Sequence, residues 1–328
     1  MEEKEIFTIK NILWGIKDCL KGKYSKKNAL LLFRHKEDFA FSLYDEFKNK
    51  KYNHSGYNFF VNYDSKKRVI ASACLKDKIV HRILYNNLNG FIDKGFVFDS
   101  YACRVGKGSL RAVKRCQKFL RNKKLKYFLK MDVKKYFDSV DHKKLKEILK
   151  RMGYNFDVFE KIINSYSVGK GVGMPIGNLT SQMFANIYLH ELDMFVKHQL
   201  KIKYYIRYMD DFVILHYSKE DLKIWMFEIE NFLKKILYLL ISNGNSILSK
   251  IENGVVFLGK RIFWNKIYIL RKAKNRLRGK MFDLGDKNID YSSSLWSYFG
   301  YISCYNYWKF NIFIRFKIGK NINQRCID

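Results

Sequence analysis

The sequence predicts a mixed α+β fold built around a ferredoxin-like sheet. Three observations lead there. A strand-like run, "KLKYFLKMDV" (Lys124–Val133), carries an acid near its end, Asp132. A second run, "YIRYMDDFVIL" (Tyr205–Leu215), sets two acids between short β-type stretches, as a hairpin would. Helical periodicity separates and follows these runs, which yields the βαβ–αβ order of such a sheet.

The elements follow in order. Residues 1–50 read as helical, with Ile6, Ile9, Leu13, Ile16 and Leu20 at helical spacing. "YNFFVNYDSKKRVIASA" (57–73) reads as a hairpin turning over Asp64–Lys67. Helix returns from about Lys76 to Leu88. After the Asp132 strand, "HKKLKEILKRMG" places Leu145, Ile148, Leu149 and Met152 on one helical face and stops at Gly153. "GKGVGMPIGNLT" (169–180) is a glycine-rich loop. "SQMFANIYLHELDMFVKHQL" predicts an amphipathic helix through Phe184, Ile187, Tyr188, Leu192 and Phe195. The acid-bearing hairpin comes next, then a helix over about 219–241, a strand pair over about 254–270 and a basic helical tail. No repeat or low-complexity linker interrupts the order.

With 328 residues, 48% of them hydrophobic, the chain has material for a sizeable core and is not a disordered one. It carries 63 Lys and Arg against 31 Asp and Glu, a net charge of +32. A field of that sign attracts polyanions, so nucleic acid is the first partner to expect. The six cysteines form no C-x-x-C pair, so neither a zinc site nor a disulfide framework is signalled, and scattered thiols suit a reducing, cytoplasmic setting. The acidic opening "MEEKEIF" is no secretory signal, and no run reaches the roughly 18 apolar residues of a membrane helix.

In so basic a chain, adjacent acids between apolar strands need a reason, because buried carboxylates are costly without partners. A two-residue hairpin turn would present Asp210 and Asp211 at one end of a sheet, with Asp132 ending a neighbouring strand. Three such carboxylates can hold two Mg²⁺ ions about 4 Å apart, with Mn²⁺ as a substitute, and support phosphoryl transfer. Taken alone, Asp-Asp is also an ordinary turn, where Asp is favoured.

The order of blocks settles on a resemblance. "YMDD" (Tyr208–Asp211) and "MDVKKYFDSVDH" (Met131–His142) resemble the catalytic blocks of reverse transcriptases. "GMPIGNLTSQMFANIYLHELD" (Gly173–Asp193) resembles their loop and helix beneath the templating base. "KKRVIASACLKDKIVHRIL" (Lys66–Leu84) resembles the fingers segment, and "GVVFLGKRI" (Gly254–Ile262) the primer-grip turn. The match runs in order over roughly residues 30–310. Within the superfamily, "IGNLTSQ" (Ile176–Gln182) and "SYACRVGKGSLRA" (Ser100–Ala112) look like the enzymes of diversity-generating retroelements.

That resemblance implies a right-hand polymerase with fingers, ferredoxin-like palm and helical thumb. Its divisions would be N-terminal helices and fingers over 1–107, palm over 108–139, a fingers–palm connection over 140–179, palm again over 180–266 and thumb over 267–328. It implies Asp132, Asp210 and Asp211 as catalytic, metal-binding acids, with the Val133 carbonyl as a further ligand. It implies Lys66, Lys67 and Arg68 as cations on the incoming dNTP, with Ile176 and Gly177 beside it. Tyr136 and Phe137 are either the ring beneath the nucleotide sugar or core aromatics. Ser181, Gln182, Phe257, Leu258 and Gly259 would contact template or primer. The tail residues Arg271, Lys272, Lys274, Arg276 and Arg278 would track its backbone, a sequence-blind, salt-sensitive contact.

The implied partners are a template RNA, its cDNA and a basic, oligomeric accessory protein, with no membrane. The chain also leaves no expected room for a maturase, endonuclease or RNase H region. Two departures stand out. Ile176 takes the place of a common glutamine, so an amide that could hydrogen-bond the nucleotide becomes an apolar contact. "SNGNS" (Ser242–Ser246) takes the place of a lysine pair, for which Lys250 or water would substitute.

Overall fold

The computed structural model describes residues 2–25, 27–63, 67–242, 244, 246–271 and 274–275. Lys66, Lys272, Arg276, Arg278 and the aromatic stretch 294–310 therefore lie outside the described residues, as does most of the expected thumb.

The N-terminal segment is helical, with α1 (Glu3–Ile6), α2 (Ile9–Leu20), α3 (Lys27–Arg34) and α4 (Lys36–Lys48). The Thr8 hydroxyl accepts from Asn11 N–H at the start of α2. The antiparallel hairpin of β1 (Tyr57–Asn62) and β2 (Arg68–Ala73) follows as expected. Then α5 spans Leu75–Gly95, seven residues beyond the expected end at Leu88. Asn86 donates to Asp18 at 2.9 Å and Asn87 to the Ile83 carbonyl at 2.8 Å, so neither competes with the helix.

The centre of the molecule is a four-stranded antiparallel sheet of β3 (Tyr127–Asp132), β4 (Tyr205–Tyr208), β5 (Asp211–His216) and β6 (Ile247–Lys250). Its order is β4-β5-β3-β6, the ferredoxin-like arrangement. Before β3 lies α6 (Ser109–Leu120). Between β3 and β4 lie α7 (Tyr136–Ser139), α8 (His142–Arg151), α9 (Asp157–Asn164) and α10 (Leu179–Met194). After β5 comes α11 (Lys219–Ile236).

Both faces of the sheet are covered, and the strand period of two divides them. Leu129, Met131, Phe212 and Ile214 point into the main core with α8, α10 and α11. Phe128, Val213 and Leu215 point into a second core with α6 and a small sheet of β7 (Val255–Phe257), β8 (Lys260–Ile262) and β9 (Ile267–Ile269). By the same parity Lys130, Asp132 and Asp211 share the second face, near the sheet end that this core leaves half-open.

Three expectations need correction. The helix α10 is not amphipathic. Thr180, Ser181, Asn186 and Asp193 are buried along with its apolar residues. It packs against α5, α8 and α11, so its polar positions are interior. The helix α11 stops at Ile236 rather than near 241, because Tyr238 turns left-handed (φ 54°) and Leu240 returns to accept from Lys134 N–H at 2.7 Å. The expected strand pair over 254–270 is a three-stranded meander, preceded by β6, which the sequence did not signal.

Candidate active site

Two backbone tethers build the acid-bearing end of the sheet. Asp132 and Asp211 are register partners across β3 and β5. The hairpin turn between β4 and β5 consists of Met209 and Asp210, so Asp211 is a strand residue rather than a turn residue. Met209 takes φ 57°, the left-handed conformation that a primed hairpin turn requires and that glycine usually supplies. The Val133 N–H donates to the Asp210 carbonyl at 3.2 Å, which staples the turn to the residue after Asp132. Ser242 N–H donates to the Asp132 carbonyl at 2.9 Å from the other side.

A cation already stands among the acids. Lys130 Nζ lies 3.4 Å from Asp211 Oδ2, and each side chain is 18% exposed. Burial pushes the Asp211 carboxyl up to about 7. Lys130 opposes the shift, and the charges of Asp132 and Asp210 add to it. Asp211 Oδ1 is buried with no hydrogen-bond partner among the described residues. Such an oxygen calls for an unseen ligand. A hard cation such as Mg²⁺ suits it chemically. Among the described residues, no three His, Cys, Asp or Glu side chains are gathered tightly enough to hold an ion as they stand.

A buried ion pair supports the turn from below. Arg207 on β4 and Asp193 on α10 are both fully buried, with Arg207 Nε 2.7 Å from Asp193 Oδ1 and Nη2 closing on Oδ2. Tyr205 donates to the same carboxylate at 2.7 Å. The remaining guanidinium nitrogen, Nη1, donates to the Met209 carbonyl at 3.1 Å. A bidentate Arg–carboxylate pair with its other donors used is the geometry in which a buried charge pair is tolerable.

The hairpin β1–β2 is docked onto the loop before α10. Ala71 N–H donates to the Ile176 carbonyl at 3.0 Å, Asn178 Nδ2 to the Ala71 carbonyl at 2.9 Å, and Ala73 N–H to Asn178 Oδ1 at 3.2 Å. Gly177 between them takes φ 116°, and a Cβ there would lie 2.7 Å from Ile70 Cγ2. Only glycine allows that approach. Ile176 and Gly177 thus join the strand that leads back to the exposed Arg68 and Lys67.

The other expected site residues fall into two groups. Phe137, Gln182 and Leu258 are half-buried, and Gly259 is exposed. Leu258 (φ 49°) and Gly259 (φ 75°) form the tight β7–β8 turn. Arg271 is exposed and Lys274 half-buried just beyond β9. Tyr136, Ser181 and Phe257, by contrast, are buried. Tyr136 donates to the Ala185 carbonyl at 2.6 Å, so it is a core aromatic and not a nucleotide contact. Phe257 fills the second core and supports the turn without facing a primer. Ser181 is shut within the packed α10. Lys250 pairs with Tyr127 at the opposite end of β3 from Asp132, so it cannot stand in for the missing lysine pair.

Sequence reasoning missed Lys130, Arg207, Asp193 and Asn178. A period-two reading of "KMD" would have placed Lys130 on the face of Asp132. The Arg207–Asp193 pair carries no comparable signal, since its partners are 14 residues apart on different elements.

A ferredoxin-like sheet with carboxylates at the ends of two central strands is the palm of a nucleic-acid polymerase. The chain belongs to the reverse transcriptase (RNA-dependent DNA polymerase) family, which it matches over residues 50–259. It is 23% identical over 274 residues to a putative COX1/OXI3 intron 2 protein of Saccharomyces cerevisiae, covering 62% of this chain and 32% of that one. It is 29% identical over 140 residues to an uncharacterized 91 kDa protein in the cob intron of Schizosaccharomyces pombe, covering 40% of this chain and 17% of that protein. The chain thus spans a third or less of the curated relatives it matches. Telomerase from Candida tropicalis in complex with a telomeric RNA fragment superposes with TM-score 0.49 at 13% identity, over 88% of this chain and 57% of that one. Among the described residues no helix is long and apolar enough to cross a membrane.

Proposed function

We propose that the protein is an RNA-directed DNA polymerase that copies a template-repeat RNA into error-prone cDNA, the reverse transcriptase of a diversity-generating retroelement. The observation that carries the polymerase reading is the pairing of Asp132 with Asp211 beside Asp210, with one buried Asp211 oxygen lacking a donor among the described residues. Two Mg²⁺ ions, or Mn²⁺, held by Asp132, Asp210, Asp211 and the Val133 carbonyl would supply Lewis-acid stabilisation of the phosphoryl transfer. Around them Lys130 holds Asp211 in place, and Lys66, Lys67 and Arg68 would neutralise triphosphate charge. Phe137, half-buried at the surface of the main core, would exclude a ribose 2′-OH. Arg271, Lys274 and the basic residues beyond would follow the hybrid backbone.

Ile176 supports the retroelement subtype. Its carbonyl is used by Ala71, and its side chain, half-buried at the hairpin–loop junction, can offer a base pair only apolar contact. A cytoplasmic setting and a basic accessory partner belong to the same reading. A second reading, an intron-type enzyme, rests on the intron proteins among the relatives.

Primer extension on an RNA template with Mg²⁺ tests the activity. Wild type should extend, and Asp210→Asn should not, while keeping its fold and RNA binding. Extension by Asp210→Asn at the wild-type rate refutes the assignment of the acids. Near-identical repeats in the flanking DNA, differing at adenines, separate the retroelement from the intron reading.

A further inference from the structure

A second basic feature lies at the opposite end of the palm sheet. There the start of β3, the end of α6, β6 and the β8–β9 turn enclose a cleft of about 1090 Å³. Tyr127 on its wall is five residues before Asp132 on the same strand, which places the cleft roughly 17 Å from the acids at the strand rise. The β7–β8 turn of Leu258 and Gly259 is at the other end of its hairpin from Trp264. The cleft is therefore separate from the acid-bearing end and from the expected primer contact.

Its lining is cationic and aromatic. Arg121, Lys123, Lys126 and Lys250 contribute positive charge against one acid, Glu252. None of the four cations is ion-paired with a described residue. All four stand at exposed positions, and gathered around one concavity they make a positive field that attracts a polyanion. Trp264 is 63% exposed at the rim, with no ring or cation stacked on it among the described residues. An exposed indole beside cations that have no ion pair among the described residues is the pairing that single-stranded nucleic acid uses, with phosphates on the cations and a base on the ring.

We propose that this cleft binds a single-stranded segment of RNA lying outside the hybrid being copied. The assignment to RNA rests on the polymerase reading: the DNA strand is paired to its template where it is made, so the RNA is the strand with unpaired stretches to offer. Held there, the RNA would be anchored to the palm while its template portion moves through the acid-bearing end. An acidic peptide satisfies the charge but leaves the exposed indole unused.

The test is direct binding to the whole 328-residue chain. A short fluorescein-labelled oligouridine is titrated by anisotropy at several salt concentrations, with the catalytic groove saturated by an unlabelled hairpin primer–template. Binding should persist under saturation. Trp264→Ala should weaken it about five- to a hundredfold, the range of one lost base stack, and Trp264→Phe should restore most of it. Lys123→Ala and Lys126→Ala, both at exposed positions, should each flatten the log–log salt slope by about 0.7. Extension of the hairpin should stay at the wild-type rate in all four variants. Complete displacement of the oligouridine by the hairpin overturns the proposal. So do wild-type affinity and salt slope in both Lys123→Ala and Lys126→Ala, equal competition by oligoglutamate, or preference for the matching DNA strand. Hairpin binding and extension by wild type report on the polymerase reading independently.

Discussion

Arg207 Nη1 donates to the carbonyl oxygen of Met209 at 3.1 Å, and Met209 is held at φ 57°. A non-glycine residue in that region stores on the order of 1–3 kcal/mol and persists where its surroundings over-determine it. Here both turn carbonyls are taken, Met209's by Arg207 and Asp210's by Val133 N–H. The turn that carries Asp210 into Asp211 is thereby tied to α10 through Asp193 and to β3 through Val133.

Arg207→Lys keeps the buried charge and loses the planar fork that reaches Asp193 and Met209 together. Single-turnover extension should slow about ten- to a hundredfold, the scale of a small misplacement of catalytic groups. Primer–template affinity should change little. Rapid-quench kinetics across dNTP concentrations separate the two quantities, and a wild-type rate in Arg207→Lys would show that the turn holds its shape unaided. Arg207→Met strands Asp193 as a buried lone charge and should cost about 3–5 kcal/mol of stability.

Asn178→Ala should loosen the hairpin β1–β2 from the loop at Ile176. It leaves the buried Ala71 carbonyl and Ala73 N–H without their side-chain partner, at about 1–3 kcal/mol. The expected signature is a raised KM for dNTP with a smaller change in kcat. Hydrogen exchange should rise at Ala73, and unchanged protection there would remove the docking role from Asn178.

His81 predicts acid sensitivity. Its ring is buried with Nδ1 2.6 Å from Thr180 Oγ1, among His54, Asp77 and Lys78, and burial lowers its pKa to about 3. The unfolded chain takes up that proton below its ordinary value near 6.5, and the folded chain does not. Stability is therefore full above about pH 6.5 and falls by up to about 1.4 kcal/mol per pH unit as the pH drops toward 3. The buried His54, also shifted down by burial, adds the same sign. Urea midpoints for wild type and His81→Gln should converge as the medium is acidified, and parallel curves would exclude His81 as the source.

Ile176→Gln tests fidelity. One restored neutral hydrogen bond is worth on the order of 1 kcal/mol. That changes the ratio of right to wrong incorporation about five- to tenfold if it acts on one pairing only. Sequencing cDNA from an adenine-rich template reads the shift, and equal error rates at similar activity would clear Ile176 of that role.

The sequence alone determined the elements whose signals are local. The acid-bearing strand and hairpin follow from short apolar β-type runs of four to six residues around the acids. The face of α8 and its stop at Gly153 follow from helical spacing and a left-handed glycine (φ 84°). The ordered blocks then named the family. Tertiary structure decided what depends on partners distant in sequence. It buried polar as well as apolar positions of α10, moved Tyr136, Ser181 and Phe257 from site to core, and sent Lys250 to the far end of the sheet. It also joined Lys130 to Asp211, Arg207 to Asp193 and Asn178 to Ala71 and Ala73. None of these pairings lies within one element, and burial is a property of what packs against a residue. A charge in a helix reads as solvent-facing until the arginine that neutralises it arrives from another strand.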